Sequence, residues 1–504
     1  MKALAVLVFL LPLMAAAITG LRILSGHHRG DVTERATARL SLGAAALSFV
    51  TLVTLDAHAI WFGVPGHVRL GEWWASGAVQ VPFSLTLDRL SLSIATLFSA
   101  LGFLALRFSV PYLHRETGFH RFFFIMNLFL AGMLLVILAG NAVLAFCGWE
   151  LAGVSSYLLI GYAYDRSTAS NNAVRAFVTN RIGDAGFILG IALAFSWLGS
   201  SEWPAITRPG QLETVLAGLL AMGFVVAALT KSALFPFSAW ITRALEGPTP
   251  SSAIFYGSLL VHAGVYLIIR LEPLLVQAPA VMALLAVLGV ITVVYGFLAG
   301  LTQTDVKSSL IFSVVTQVGL MFLACGLGAF TFAAWHMAVH AVWRAYQFLS
   351  APSYLEFAEQ PARTAPAWLT RRITFYTASL ERLWLEPMTD WLTIRPTRAL
   401  ARDARDLDDR VISRLVGHPE EAGAAIPVRD RQDDFILGRG VAGGLLGWLA
   451  ERLNRLEQRL LLQEGGALTA RLRELGKVLA TVETLLERPR YLLLMIALTF
   501  VVIL

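Results

Sequence analysis

The stretch Ala227-Ala228-Leu229-Thr230-Lys231-Ser232-Ala233-Leu234-Phe235-Pro236 puts a lysine in the middle of an apolar run that extends from residue 214 to 246, shortly before a proline. An ionisable side chain inside a membrane-length apolar segment is costly and marks a functional position by default. A mid-helix proline removes a backbone donor and clashes with the preceding turn, so it breaks the helix. Transporters place ion sites at such breaks. Working outward, similar runs of about 20 apolar residues, the length needed to span a bilayer, recur near 3–22, 38–57, 88–113, 121–139, 141–163, 173–199, 251–271, 280–300, 308–327 and 329–350. With 214–246 these predict an all-α polytopic membrane protein of about eleven core helices, and 491–504 is a shorter candidate for a terminal anchor helix.

Composition agrees. The chain is 57% hydrophobic and only 15% charged, against about 25% charge in ordinary globular proteins. Charge is concentrated between Pro361 and Arg490, which hold 21 Lys+Arg and 18 Asp+Glu. The reading excludes a soluble enzyme, a nucleic-acid-binding module and a secreted scaffold. Cys147 and Cys325 lie in apolar stretches without a CxxC or Cys/His cluster, so no structural zinc or iron–sulfur cluster is expected on this chain. Met1-Lys2 and the following apolar run, with Ala15-Ala16-Ala17, imitate a signal peptide. The run is longer than a signal core, and it is taken as the first spanning helix.

Domains are expected at 1–113 (with an interfacial, hairpin-like loop at 64–82 carrying Trp73-Trp74), at 114–355 for the functional core, and at 356–490 for a charged cytoplasmic or membrane-surface tail. In that tail Leu449, Leu453, Leu456 and Leu460, and then Leu472, Leu475, Leu479 and Val482, follow helical spacing, the pattern of surface-lying amphipathic helices. Gly438-Arg439-Gly440-Val441-Ala442-Gly443 matches a dinucleotide-loop pattern but has no strand before it, so it is read as chance. Arg29, Arg35, Arg39, Arg115, Arg121, Arg166, Arg175 and Lys307 fall on alternate loops. The positive-inside rule then puts those loops in the cytoplasm, the N-terminus outside and the tail inside. It also accounts for the net charge of +6 without nucleic acid.

Several further charges interrupt the spans: Glu150, the pair Arg181 and Asp184 three residues apart, His262, and His336, His340 and Arg344 at four-residue steps along one helix face. Arg181 and Asp184 can neutralise each other. Lys307 sits near a helix end, where it can reach the surface. Glu150 and Lys231 have no opposite charge a turn away and must find partners on other helices. Together these groups suggest a hydrated polar path in which carboxylate, lysine and imidazole pass protons, while Arg344 stays charged and modulates its neighbours. His262 alone reads more readily as a satisfied core histidine.

The motifs Leu87-Asp88-Arg89-Leu90-Ser91, Gly148-Trp149-Glu150, Asn180-Arg181-Ile182-Gly183-Asp184, Thr230-Lys231-Ser232-Ala233-Leu234-Phe235-Pro236, Gly247-Pro248-Thr249-Pro250-Ser251-Ser252-Ala253 and Thr302-Gln303-Thr304-Asp305-Val306-Lys307-Ser308-Ser309 resemble, in order and spacing from about residue 83 to 355, the antiporter-like proton-translocating subunits of respiratory complex I and of multi-subunit Na+/H+ antiporters. The resemblance implies that Glu150 and Lys231 are the central carboxylate–lysine pair, Arg181 and Asp184 its companion ion pair, and Lys307, His336 and His340 members of a polar axis along the membrane plane. Proton movement would be driven by partner subunits, the chain itself holding no redox cofactor. The chain departs from that family at Tyr256, where a histidine is frequent, and at Arg344, where a lysine is frequent. After about Leu355 it enters the charged tail, so the second inverted repeat reads as truncated, with the exit half of the path missing or supplied by another subunit. The implied setting is a bacterial inner membrane. The implied partners are quinone-linked redox subunits or, in an inorganic-carbon uptake complex, a soluble zinc protein resembling carbonic anhydrase. A Na+/H+ antiporter assembly and a non-conducting scaffold are the other readings.

Overall fold

The computed structural model describes residues 1–26, 30–76, 79–351 and 364–408. The 438–443 glycine motif, the amphipathic leucine repeats and the 491–504 run lie outside these residues. One compact unit extends from Met1 to Ile394, and the helix Arg395–Leu407 belongs to a second.

Ten helices among the described residues are long and apolar enough to cross a membrane. They are α1 (Lys2–Leu24), α2 (Asp31–Phe62), α3 (Arg89–Tyr112), α4 (Phe119–Leu138), α5 (Ala142–Ile160), α6 (Ser167–Leu198), α7 (Thr214–Lys231), α8 (Thr249–Arg270), α9 (Pro279–Gly300) and α10 (Val306–Gly326). The eleventh expected run also forms a helix, α11 (Phe330–Leu349), but with His336, His340 and Arg344 on it α11 is not among the ten. Side chains at the N-caps set where three helices start. Asp88 and Ser91 form a reciprocal capping box on α3, Asn141 accepts from Leu144 N on α5 at 2.8 Å, and Asp305 accepts from Ser308 N on α10 at 2.7 Å. Each satisfies a backbone donor that the first turn leaves free.

One correction concerns local structure, and the hairpin expected at 64–82 is present. The expected helix over 214–246 stops at Lys231. Ala233 then takes a left-handed φ of +54°, and only one further turn, Ala239–Thr242, is helical before the next span. Pro236 supplies the physical reason, since no ladder hydrogen bond can form at its nitrogen. Lys231 is therefore the last residue of a half-length helix. The loop at 64–82 is the larger part of an antiparallel hairpin, β1 (Gly66–Ser76) paired with β2 (Val79–Leu87), whose register shifts between Arg69 and Gly71 and between Glu72 and Trp74.

The contacts sort the connections onto two faces. On one, the hairpin meets the α4–α5 turn, where Asn141 donates to the Pro82 carbonyl at 2.8 Å. There it also meets the α6–α7 loop, where Glu202 takes His67 at 3.0 Å. Asp88 at the hairpin's end pairs with Arg270 at the end of α8. On the other face lie the arginine-bearing loops, joined by Glu34–His114 at 2.9 Å and Arg166–Glu246 at 2.7 Å.

The segment from Ala367 to Ile394 straps across this second face. Glu386 is held by Arg243 through bonds of 2.6 and 3.0 Å and by Arg382 at 2.9 Å. Asp390 pairs with Arg175 of α6 at 2.8 Å, and Thr389 donates to the Pro236 carbonyl at 3.3 Å. Arg382, Leu383 and Trp384 have φ of 50°, 53° and 53°, strain of roughly 1–3 kcal/mol each that only firm anchoring sustains. Glu386→Ala should therefore release this strap: hydrogen exchange would rise over 367–394 and stay unchanged in the spanning helices. Unchanged exchange in the strap would show that the arginines do not anchor it. Burial alone would push the Glu386 carboxyl up, but bonding to Arg243, aided by Arg382, holds it below the usual carboxylate range. A depressed folded value means that the anchoring is complete above the ordinary carboxylate range and is lost as pH falls through the lower, folded value. Acid should loosen the strap in the wild type and have little further effect in Glu386→Ala.

Candidate functional site

Three spans build the first cluster. α5 brings Trp149 and Glu150, α6 brings Arg181 and Asp184 on one face, and α7 ends on Lys231. Arg181 donates to Glu150 through Nη1 at 2.6 Å, and its Nη2 lies 2.8 Å from Asp184 Oδ2. The second approach is close but poorly aligned, since neither atom completes a hydrogen bond there. Trp149 Nε1 donates to the other Asp184 oxygen at 2.9 Å. One guanidinium thus serves two carboxylates on two helices.

Lys231 is 1% exposed. Its ammonium donates to the Trp149 carbonyl at 3.4 Å and lies 4.8 Å from the centre of the Trp149 ring. Among the described residues no carboxylate is bonded to it. Gly153 leaves it room: a Cβ there would stand 3.2 Å from Nζ. The helix break that frees the chain after Lys231 is lined by Ser232, which donates to the Val261 carbonyl of α8 at 2.7 Å. That contact is the link to the second cluster, because His262 follows Val261.

α8 is not uniform. Ala253–Ser258 is a wide π-helical turn, a distortion frequent at functional sites. Leu259 N reaches back to Ile254, and His262 N bonds to Leu259 at 3.1 Å rather than to Ser258. The Ser258 carbonyl is left for the ring of His262, whose Nδ1 stands 2.7 Å from it. His262 Nε2 meets His340 Nδ1 of α11 at 2.9 Å. Arg344 Nε donates to His340 Nε2 at 3.3 Å, and the same guanidinium reaches Gln347 at 2.7 Å and Ser313 of α10. His336 stands 6.2 Å ring to ring from His340, with its Nε2 2.8 Å from Gln317 Oε1 of α10.

The residues singled out in the sequence thus form two groups. Glu150, Arg181, Asp184 and Lys231 are one, with Pro236 behind the break, and His262, His336, His340 and Arg344 are the other. Lys307 belongs to neither. It sits in the first turn of α10 on the basic-loop face and donates to Thr249 Oγ1 at 2.7 Å, which Tyr112 also meets at 3.0 Å. The α10 residue that joins the histidines is Gln317. Tyr256 is fully buried and donates to the Ala244 carbonyl. Sequence reasoning missed Trp149, Ser313 and Gln317. Trp149 carried a signal, since it adjoins Glu150, whereas a Gln or Ser in an apolar helix gives none without knowing which helix faces it.

These features define a polytopic membrane protein with buried charges at a helix break and a histidine pair beside them. Residues 139–365 match the family model described as NADH:quinone oxidoreductase/Mrp antiporter, TM, and residues 73–123 match that of NADH-ubiquinone oxidoreductase (complex I), chain 5 N-terminus. NADH-quinone oxidoreductase subunit L of Mycobacterium tuberculosis is 37% identical over 349 residues, covering 67% of this chain and 53% of that protein. The chloroplastic NAD(P)H-quinone oxidoreductase subunit 5 of Nephroselmis olivacea is 34% identical, covering 71% of this chain and 56% of that protein. The structure of the Mrp complex from Dietzia sp. DQ12-45-1b superposes with a TM-score of 0.59 at 26% identity, covering 68% of this chain and 37% of that one. An archaeal membrane-bound sulfane sulfur reductase shares the fold, at a TM-score of 0.61 and 20% identity, covering 77% of this chain and 81% of that one. The chain belongs to the antiporter-like membrane subunit family. It spans about half the length of the curated relatives it matches.

Proposed function

We propose that this chain translocates protons as one subunit of a multi-subunit, quinone-linked membrane complex of the complex I type. The observation that carries this is the fully buried Lys231 at the end of a broken helix, facing an arginine-bridged carboxylate pair, with a histidine pair reached through Ser232 and Val261. The Lys231 ammonium is bonded to no carboxylate among the described residues, so a small displacement of Arg181 from Glu150 or Asp184 changes the field it feels. The chemistry needs no cofactor on this chain, and the driving reaction belongs to partner subunits. Supporting the assembly are the quinone oxidoreductase names of its relatives. The orientation, with the hairpin face outside a bacterial inner membrane and the strap and tail in the cytoplasm, is supported by the basic loops sharing one face.

Gentle purification of the tagged chain, with identification of whatever stays bound, tests the setting. Flavin and iron–sulfur subunits are expected. A soluble zinc protein alone would replace the redox reading with inorganic-carbon uptake, and antiporter subunits alone would replace it with Na+/H+ exchange. Proton uptake by vesicles holding the purified complex then tests conduction, and Glu150→Gln should abolish it. Unchanged uptake would leave the chain a scaffold.

A further inference from the structure

We infer that Arg344 is a positioning residue: it locks the His262–His340 pair in one uncharged hydrogen-bond orientation, and a proton joins the pair only when the guanidinium turns away.

The argument is one of donors and acceptors. A carbonyl oxygen only accepts, so His262 Nδ1, 2.7 Å from the Ser258 carbonyl, carries a proton. At the other end an arginine only donates, so His340 Nε2, 3.3 Å from Arg344 Nε, carries none. A histidine lacking the Nε2 proton holds its proton on Nδ1. His340 Nδ1 is then the donor of the 2.9 Å bond, and His262 Nε2 is the acceptor. Both ends of the chain fix the middle, and no second arrangement satisfies them. The bonding network leaves one solution.

The consequence is chemical. Each ring has one lone pair, and both are engaged: that of His262 by His340, that of His340 by a permanent cation. A further proton therefore has no place on the pair while Arg344 is seated. The π-helical turn contributes by freeing the Ser258 carbonyl that pins His262. Arg344 is itself held through Gln347 of its own helix and Ser313 of α10, so turning the guanidinium away breaks these bonds as well. Once the guanidinium leaves, a proton arriving at His340 Nε2 makes an imidazolium. Passing its Nδ1 proton to His262 Nε2 then returns His340 to neutral, with its proton now on Nε2. The remaining ring of the cluster, His336, points Nε2 at Gln317 and keeps a buried Nδ1 without a partner. It is the base left open while Arg344 is seated. The charged and titratable groups around His340 are His262 from α8 and His336 and Arg344 from its own helix, while α10 offers the uncharged Ser313 and Gln317.

The proposal rests on the reading of this chain as proton-translocating, but its test does not. Full-length protein labelled with 15N-histidine, in lipid bilayers, is studied by solid-state NMR, with the two residues among ten histidines assigned through His262→Gln and His340→Gln. In the wild type, His340 Nε2 is expected to give a pyridine-like resonance at neutral pH and to keep it on acidification. In Arg344→Met it should become pyrrole-like on acidification as the ring takes a proton. Arg344→Lys, which still donates, should keep the wild-type resonance on acidification. A wild-type His340 that carries a proton on Nε2, or that takes one up in parallel with Arg344→Met, overturns the lock. The wild-type spectrum alone decides this if Arg344→Met does not fold. Failure of vesicle proton uptake would instead strike at the proposed function and leave the tautomer result intact.

Discussion

Lys231→Met should abolish proton uptake by the assembled complex and raise the chain's resistance to unfolding. The two effects share one cause. Lys231 is 1% exposed, its ammonium donates to a carbonyl at 3.4 Å, and no carboxylate among the described residues is bonded to it. Removing an ionisable group from water costs several kcal/mol, and recovering that cost needs good geometry to an opposite charge. Here the carboxylates are engaged by Arg181 and the Trp149 indole instead. Methionine matches the lysine stem in shape, fills the same space beside Trp149 and carries no desolvation penalty. Replacing buried ionic groups by apolar ones of like volume is often stabilising, by about 1–4 kcal/mol, whereas breaking a bonded pair is not. Lys231 is bonded to a carbonyl and not to a described carboxylate, so the melting temperature should rise as activity disappears. A lysine retained for structure would behave the other way: the variant would melt earlier and still conduct. Such an outcome would remove Lys231 from the proton path.

How much of this was readable beforehand differs by element. The spans were legible because each needs a long apolar run. Lys231 was legible as a residue but not as a helix end. Pro236 announces a break, yet only packing decides that the chain leaves the helix five residues earlier through a left-handed Ala233. The companion of Arg181 was half legible. Its three-residue spacing to Asp184 predicts that pair, whereas the 2.6 Å bond to Glu150 depends on how α5 lies against α6. His262 was the least legible. Counted along a regular helix it points away from the position of Tyr256, and nothing in the sequence marks the π-helical turn that sets its direction toward His340. The strap over the second face is a similar case. Glu386 and Asp390 look like ordinary members of a charged tail until Arg175 and Arg243, more than a hundred residues away, are seen to meet them.

Gly183→Ala should reduce proton uptake about a hundredfold, the scale of a displacement near 1 Å at a reacting group, and Thr230→Gly in the same chain should restore part of it. Gly183 lies between Arg181 and Asp184, where α6 crosses α7. A Cβ there would fall 1.7 Å from Thr230 Oγ1 and 2.9 Å from Thr230 Cβ. Thr230 is buried, its hydroxyl donates to the Ala227 carbonyl at 2.9 Å, and its own carbonyl accepts from Trp240 at 2.9 Å. It cannot turn aside freely, so α6 and α7 must part, at an overpacking cost of about 1–3 kcal/mol. Lys231, the next residue, moves with Thr230 away from the carboxylates. Deleting the threonine side chain removes both close contacts and leaves Ala227 Cα at 3.2 Å, a gap that a small shift can absorb. The glycine introduced into α7 costs about 1 kcal/mol in helix propensity, so recovery is partial. Gly148→Ala provides the contrast. Its Cβ would stand 2.6 Å from the Gly132 carbonyl oxygen and 2.7 Å from Val136 N, both backbone, so trimming Leu135 to Ala should restore nothing. Wild-type uptake in Gly183→Ala, or rescue of Gly148→Ala but not of Gly183→Ala, would mean that helix spacing does not place these charges.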